Sequence, residues 1–317
     1  MNKINRFSAY IILMLALSAS ASASARSNQF VAIPEQAKRL VFIGDSITYS
    51  GEYVAYFESY LSVASPNRQL EIINIGLPSE TVSGLSEVGH AKGDFPRPDA
   101  KERLQPSLNK LKPDIVFSCY GMNDGIYLPF NQARFTAFKN GINNLHKTVL
   151  ASGAEVVHIT PPDYDAIIDS AYSVVLDHYS NWLISKQHDE HWQVIDVHFP
   201  MQLSLQTQRK QNKHFYYSKD GIHPNPDGHW QIAKALLNSM GYPVEDTFED
   251  SIKKLNPSIQ VNELFELVKK RQTIIKDAYL AEIGHKRPRM KQGMPLSEAL
   301  IKGQRLNNKI NKLVTLY

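Results

Sequence analysis

The sequence contains a single cysteine, Cys119, in 317 residues, so no intrachain disulfide can form. It also lacks, near its N-terminus, an apolar run long enough to span a bilayer, since residues 9–17 fall short of the roughly 20 that a helix needs. Hydrophobic residues make up 43% and charged residues 21% of the chain, which is typical of a globular protein. Stability must therefore come from a packed core.

The first 25 residues have the features of an export signal. Lys3 and Arg6 precede the apolar run, and Ala23-Ser24-Ala25 provides a small-x-small cleavage pattern. We expect a signal peptide at residues 1–25 that is cleaved, a secreted or periplasmic protein, and no stable membrane insertion after cleavage. The alternative is an uncleaved membrane anchor.

Charge is distributed unevenly along the chain. Residues 251–317 contain 14 Lys and Arg against 5 Asp and Glu, a net charge of +9. Removing this and the +2 of Lys3 and Arg6 from the total of +4 leaves −7 on residues 26–250. An acidic body with a basic tail, in an exported protein, makes nucleic acid an improbable partner.

Short apolar segments alternate with helical patterns along most of the chain. Continuous apolar character indicates strands that are buried on both faces, at residues 40–43, 70–75, 115–119, 156–160 and 194–197. Helical patterns lie between and after them, at residues 53–63, 100–111, 132–151, 171–187 and 227–240. The alternation predicts a parallel sheet covered by helices on both sides, with ligands at the carboxyl ends of the strands.

The pattern changes after Gly241-Tyr242-Pro243. An acidic linker containing Glu245, Asp246, Glu249 and Asp250 leads to a helix predicted at residues 262–283. A second helix is predicted to begin at Ser297. We expect these helices to pack on the main domain rather than form an independent one.

The segment Gly44-Asp45-Ser46-Ile47-Thr48 directly follows the first predicted strand. Glycine permits a tight exit from the strand and leaves the serine exposed at the carboxyl edge of the sheet. If a helix begins here, the backbone N–H of Ser46 can stabilise an anion. The alternative is a simple helix cap, because Ser and Asp are favoured in that position.

Two further segments offer hydrogen-bond donors. Gly76, at the end of the second predicted strand, could present a backbone N–H to a ligand, although it also fits a plain turn. Asn123 lies in Cys119-Tyr120-Gly121-Met122-Asn123-Asp124-Gly125, and its neutral amide could stabilise an oxyanion. Asn-Asp-Gly is equally a favoured turn sequence.

The fourth segment is Asp220-Gly221-Ile222-His223-Pro224-Asn225, just before a predicted helix. An Asp three residues before a His can curl back to bind the imidazole Nδ1–H, which leaves Nε2 free to accept a hydroxyl proton. Pro224 holds His223 in extended geometry and out of the helix. The alternatives are a capping turn or a metal-ligand pair, but no second His/Asp cluster with matching spacing is evident. We expect nearby His229 to pack on its own helix.

Together, the four segments resemble the sequence blocks of the SGNH/GDSL hydrolase family, in the same order. By that resemblance, Ser46 is the nucleophile, His223 and Asp220 supply the base, and Ser46, Gly76 and Asn123 form the oxyanion hole. The resemblance implies a three-layer α/β/α flavodoxin-like fold with a parallel sheet, and ester hydrolysis without a metal or organic cofactor. It covers a hydrolase domain at residues 36–245 and leaves residues 246–317 as a basic helical C-terminal extension.

The substrate is less well defined by the sequence. An exported esterase suits small-molecule or polysaccharide esters, and we favour deacetylation of a polysaccharide. Tyr49, Tyr53, Tyr120 and Tyr127 flank the candidate site and could offer sugar-stacking faces, or could simply pack around the loops. A lipase, thioesterase or acyltransferase of the same fold, and a non-catalytic glycan-binding protein derived from it, remain alternatives.

The basic run Lys286-Arg287-Pro288-Arg289 allows a narrower hypothesis. If it folds back beside the site, Arg287 and Arg289 could recognise an anionic group on the substrate. The alternative is a solvated face, or ion pairs with the acidic body. The sequence does not indicate an oligomeric state.

Overall fold

The structure, a computed structural model, describes residues 31–315. The expected signal peptide at residues 1–25 lies outside these residues, so its cleavage remains a prediction. The strands are β1 (Arg39–Gly44), β2 (Glu71–Asn74), β3 (Ile115–Cys119), β4 (Glu155–Ile159) and β5 (Gln193–Ile195). The helices are α1 (Ser46–Ser50), α2 (Glu52–Ala64), α3 (Lys101–Leu111), α4 (Gln132–Ala151), α5 (Ser170–Asp189), α6 (His198–Gln211), α7 (Pro226–Ser239), α8 (Phe248–Leu255), α9 (Val261–Ile283) and α10 (Leu296–Thr315).

The five strands form one parallel sheet in the order β2-β1-β3-β4-β5. The chain runs outward in one direction from β1 to β2, then crosses back to β3. Crevices at such a reversal are where ligands bind in open α/β sheets. Here the loops that follow β1, β2 and β3 meet at the carboxyl edge, and they carry three of the four candidate segments.

Helices cover both faces of the sheet. On one face, α2 and α7 pack together, and Phe42 of β1 stacks on Phe117 of β3 at 4.6 Å with Phe57 of α2 at 5.6 Å. On the other face lie α3, α4 and α5, where Phe138 stacks on Tyr179 at 4.2 Å. This three-layer arrangement confirms the fold expected from the sequence. Among residues 31–315, no helix combines the length and the apolar character needed to cross a bilayer.

The C-terminal extension packs along the edge strand β2. From α9, Gln272 donates from Nε2 to the Ile72 carbonyl oxygen at 2.9 Å, and Arg271 approaches the same oxygen at 3.3 Å. Both side chains also bond to the buried carboxylate of Glu58 in α2. Unpaired backbone on an edge strand invites pairing with another chain, so α9 covers a site of possible aggregation.

Two helices were not expected from the sequence. Helix α6 buries His198, Met201 and Leu205, a sparse apolar face inside a polar, glutamine-rich stretch. Helix α8 occupies part of the segment interpreted as an acidic linker. Thr247 caps it by accepting from the N–H of Asp250, and two of the linker's acidic residues lie in its first turn, where carboxylates favour a helix.

Candidate active site

Ser46 is the first residue of α1, directly after the end of β1. Asp45 caps this short helix, because its Oδ1 accepts from the N–H of Ile47 at 2.9 Å. Ser46 therefore keeps an N–H group without an intrahelical partner, aimed outward from the helix N-terminus. Asp45 itself is buried, and desolvation raises its pKa to about 7.

His223 lies in the loop before α7, within hydrogen-bond distance of Ser46. The Oγ of Ser46 lies 3.0 Å from Nε2 of His223, and Nδ1 of His223 lies 2.7 Å from Oδ2 of Asp220. The other oxygen of Asp220 accepts from the backbone N–H of Ile222 at 3.0 Å and of His223 at 2.8 Å. With Nδ1–H donated to the carboxylate, Nε2 is left to accept the Ser46 hydroxyl proton.

The electrostatics of the pair favour a charged Asp220. Partial burial raises the pKa of Asp220, but the hydrogen bonds from the His223 ring and from the two backbone N–H groups outweigh it and lower the pKa overall. An ionised carboxylate holds the imidazole in one tautomer and stabilises the imidazolium that forms during proton transfer.

Asn123 is buried close by, in the loop after β3. Its Nδ2 donates one hydrogen to the Glu80 carbonyl oxygen at 3.1 Å, and its Oδ1 accepts from the Tyr127 hydroxyl at 2.9 Å. Because the Glu80 carbonyl can only accept, it fixes Nδ2 as the end of the amide that faces it, and the Tyr127 hydroxyl then donates to Oδ1. The second Nδ2 hydrogen has no acceptor within residues 31–315 and is available for an oxyanion.

Gly76 does not provide the free donor that the sequence predicted. Its N–H is 2.8 Å from Oδ1 of Asn74, and the residue is buried behind α1. A Cβ at this position would overlap the backbone nitrogen of Tyr49. The assignment of Gly76 to the oxyanion hole is therefore corrected: this glycine lets the loop after β2 pack against α1.

Ser79, three residues further on, is a donor that the sequence analysis missed. It has a left-handed backbone, with φ of 69°, and its N–H has no acceptor in the described part of the chain. The carbonyl of the following residue, Glu80, is the one that binds the Asn123 amide, so the Ser79 backbone borders that amide. The sequence gives no signal for this conformation, because left-handed backbone is rare for serine.

The four flanking tyrosines divide into two groups. Tyr53 and Tyr120 are fully buried. The Tyr53 hydroxyl bonds to Thr48 at 2.9 Å and the Tyr120 hydroxyl to Glu80 at 2.6 Å, so the two rings pack in the core and cannot stack on a sugar. Tyr49 and Tyr127 are half-buried and keep part of their rings accessible. Nearby His229 is buried, but it packs against neighbouring helices rather than its own, since its ring stacks on Tyr53 of α2 and its Nε2 lies 3.1 Å from the Ser50 hydroxyl.

The C-terminal extension reaches α1, the helix that begins at Ser46. Lys276 of α9 donates from Nζ to the carbonyl oxygen of Tyr49, near the end of α1, and lies 3.9 Å from the centroid of the Tyr49 ring. Burial lowers the pKa of Lys276 to about 8. A cation at a helix C-terminus is stabilising, so the extension supports the helix that carries Ser46.

The site is an open surface rather than a deep cavity. The side chains of His223 and Asp220 are each 53% exposed. A cavity of about 710 Å³ lies elsewhere, between α10 and the loop before β2, and contains neither Ser46 nor His223. Within the described ranges, no group of three or more His, Cys, Asp or Glu side chains is arranged to hold a metal ion.

Asp124, next to Asn123, gives a pH-dependent prediction. Its Oδ1 accepts from the Ser83 N–H at 2.8 Å, and burial raises its pKa to about 6 from 3.8. Because the folded protein holds this proton more tightly, stability falls as pH rises from about 4 to 6, and the loss persists above that range. Asp124→Asn should therefore gain up to about 3 kcal/mol relative to wild type between pH 4 and pH 7.5.

Urea unfolding of both proteins at pH 4 and pH 7.5 measures this difference. Asp189→Asn, exposed at the end of α5, serves as the matched control and should show the same relative stability at both pH values. An Asp124→Asn effect that does not change with pH would contradict the prediction.

Comparisons with known proteins agree with this geometry. The family described as "GDSL-like Lipase/Acylhydrolase family" matches residues 42–231, more than half of the chain. No curated protein sequence matches. The chain belongs to the GDSL-like lipase/acylhydrolase family, and it is a carboxylic ester hydrolase. Its relatives among solved structures share the fold at low sequence identity.

Two of these structures align over nearly their whole length. A catalytic mutant of Axe2, an acetylxylan esterase from Geobacillus stearothermophilus, has a TM-score of 0.53 and 21% identity, covering 67% of this chain and 98% of that one. LAE5, an α/β hydrolase enzyme from the metagenome of Lake Arreo, Spain, has a TM-score of 0.52 and 24% identity, with the same coverages of 67% and 98%.

A third similar structure is BT4096, a gut microbial diltiazem-metabolizing enzyme. It has a TM-score of 0.54 and 19% identity over 69% of this chain. The chain spans only 50% of the length of that protein.

Proposed function

We propose that this protein is an exported serine esterase that removes short acyl groups, chiefly acetyl, from a polysaccharide. The observation that carries the catalytic part is the Ser46–His223–Asp220 relay, with its distances of 3.0 Å and 2.7 Å. In the proposed reaction, His223 takes the Ser46 proton while Oγ attacks the ester carbonyl. His223 then protonates the leaving alcohol, and water attacks the acyl-enzyme by the reverse sequence.

The tetrahedral intermediate carries a negative oxygen that needs donors. We assign this role to the backbone N–H groups of Ser46 and Ser79 and to the free hydrogen of the Asn123 amide. Each of these groups lies at the carboxyl edge of the sheet and has no competing acceptor within residues 31–315. Preorganised donors of this kind stabilise the transition state more than the ground state.

The Asn123 amide can be tested directly. Asn123→Ala should lower kcat by about 10²–10³-fold, because one oxyanion donor is lost. Tyr127→Phe is a second, milder variant. It keeps the amide but removes the hydroxyl that helps to orient it, so we expect a smaller loss of kcat. Steady-state kinetics on p-nitrophenyl acetate measure both, and unchanged turnover in Asn123→Ala would assign the oxyanion hole to other groups.

The open site supports a polymeric substrate. An exposed imidazole can meet an ester in the middle of a glycan chain, whereas a deep pocket would require a chain end. Tyr49 and Tyr127 are half-buried, with Lys276 and Arg97 over one face of each ring, so each ring keeps part of its surface for contact with a sugar. The similarity to an acetylxylan esterase in fold adds to this proposal. The proposed export rests on the N-terminal sequence pattern and would bring the enzyme to such polymers.

One feature favours a second candidate, a longer acyl group. Ile167 and Ile168 are 70% and 51% exposed. Ile168 lies against Gly221, in the loop that carries Asp220 and His223. Exposed apolar side chains at a site rim can bind an acyl chain. On this reading the protein is a lipase-like esterase of the same mechanism.

A substrate panel separates the two candidates. We expect the enzyme to release acetate from acetylated xylan and to hydrolyse p-nitrophenyl acetate faster than the butyrate or octanoate. Ser46→Ala supplies the background rate. A preference for octanoate, with no acetate released from any acetylated glycan, would overturn the polysaccharide proposal and favour the lipase-like one.

A further inference from the structure

The loop between α9 and α10 carries four basic side chains, and three of them have carboxylate partners. Lys286 pairs with Glu102, Arg289 with Asp94 at 2.7 Å, and Lys291 with Asp277 at 3.5 Å. These ion pairs neutralise most of the charge of the basic run, which is the alternative that the sequence left open. Arg289, predicted as a substrate-binding residue, is therefore an exposed partner of Asp94.

Arg287 differs from its neighbours. Within residues 31–315 it forms no ion pair, and its guanidinium meets only the Pro288 carbonyl oxygen and the Met290 Sδ, each at 3.2 Å. The side chain is half-buried, and its Nε is inaccessible to solvent and has no hydrogen-bond partner. Burial lowers the pKa of Arg287, against the opposing effect of the Tyr49 phenol. A half-buried guanidinium with so few partners is stabilised when an anion binds to it.

Arg287 lies against the segment that leads to the candidate site. Its guanidinium carbon lies 5.4 Å from the centroid of the Phe95 ring. Two residues further along, Arg97 places a guanidinium nitrogen 3.4 Å from the carbonyl oxygen of Ser79, whose N–H we assign to the oxyanion hole. Arg287 therefore flanks the segment that borders the oxyanion hole. Burial raises the pKa of Tyr49, on the same helix as Ser46, and the Arg287 charge opposes this, in agreement with that placement.

Two of the other charged groups near this part of the site already have partners of opposite charge. Arg97, which lies 5.3 Å from the centroid of the Tyr127 ring, makes a two-point ion pair with Glu87 at 2.6 Å and 2.8 Å. Asp277 is paired with Lys291 at 3.5 Å, whereas Lys276 donates to the neutral Tyr49 carbonyl. Arg287 and Lys276 thus leave a local excess of positive charge beside an acidic domain.

We propose that Arg287 is a specificity-determining residue that binds a carboxylate on a sugar adjoining the esterified one, so that the substrate is an acetylated acidic polysaccharide. This inference rests on the proposed function. A guanidinium presents parallel N–H donors that match the two oxygens of a planar carboxylate. The half-buried Phe95 ring beside Arg287 offers a further contact for the sugars themselves. A sulfate ester could make a related contact, and the experiment distinguishes it.

The test compares acetate release from three sets of acetylated oligosaccharides: neutral, uronate-containing and sulfated. For each enzyme, the ratio of kcat/KM on the uronate substrate to that on the neutral one is measured. Wild type should prefer the uronate. Arg287→Ala should lower the ratio by about 10- to 100-fold, mainly through KM, because a charged hydrogen bond is lost. Arg287→Lys keeps the charge but cannot make two parallel hydrogen bonds, so its ratio should lie between those of wild type and Arg287→Ala.

The control is Arg289→Ala, in the same loop, which should leave the ratio unchanged because its partner is Asp94. Thermal unfolding of each variant checks that the fold is retained. Equal losses on neutral and uronate substrates in Arg287→Ala, or a wild-type preference for the sulfated set, would overturn the carboxylate proposal alone. If wild type releases acetate from none of the three sets, the proposed function fails as well.

Discussion

Replacing Ser46 with alanine is expected to lower kcat by about 10⁶-fold, as loss of the nucleophile does in serine hydrolases generally. The fold should not change, because the Ser46 hydroxyl contacts only the exposed His223 ring. An organophosphorus reagent that reacts with activated serines should label the wild-type protein once, at Ser46. The labelled peptide, identified by mass spectrometry, and the turnover number together measure the effect.

Ser50→Ala is the matched control for this experiment. Ser50 lies on the same five-residue helix and bonds through its hydroxyl to Nε2 of His229 at 3.1 Å, away from the Asp220–His223 pair. We expect it to keep nearly full turnover and to be labelled like wild type. Turnover above about 1% in Ser46→Ala would show that another group attacks the ester.

Replacing Arg271 with alanine is expected to destabilise the protein by about 3–5 kcal/mol, since it leaves the buried Glu58 carboxylate with an incomplete set of partners. The same change frees part of the edge strand, because Arg271 also approaches the Ile72 carbonyl. Urea unfolding monitored by tryptophan fluorescence measures the loss. We expect increased aggregation during the same experiment.

Lys110→Ala is the control for Arg271→Ala. Lys110 forms an exposed ion pair with Glu282 of α9 at 2.6 Å, so its removal should cost less than about 1 kcal/mol. The double variant Arg271→Met with Glu58→Leu should recover much of the stability, because an apolar pair can replace a buried ion pair. If Arg271→Ala unfolds like wild type, the extension is not an integral part of the fold.

The sheet could be predicted closely from the sequence because its strands are buried on both faces. Continuous apolar runs identified all five, and β3 was predicted at its observed bounds, residues 115–119. Helix α4 was likewise predicted at residues 132–151, where Asn131 caps it. The missed helices, α6 and α8, have small apolar faces and polar compositions. Their stability comes from tertiary packing, which the periodicity of apolar residues in the sequence does not reveal.

The candidate site was predictable where chemistry depends on side chains. Ser46, His223 and Asp220 lie together as expected, and Asn123 lies in the loop after β3, which pairs with β1 up to Gly44 and Cys119. The error at Gly76 concerns a backbone donor, whose availability depends on what its N–H already binds. The expectation that Tyr53 and Tyr120 could stack on a sugar was also wrong, because both are buried. A tyrosine near a motif in sequence can point either to the surface or into the core.

The two edges of the sheet are closed in different ways. At one edge, α9 donates side-chain hydrogen bonds to the Ile72 carbonyl of β2. At the other edge, β5 has only three residues, Gln193–Ile195. A second molecule therefore finds little backbone on either side with which to extend the sheet. Self-association by strand addition is therefore disfavoured, and the protein can stay dispersed at high concentration.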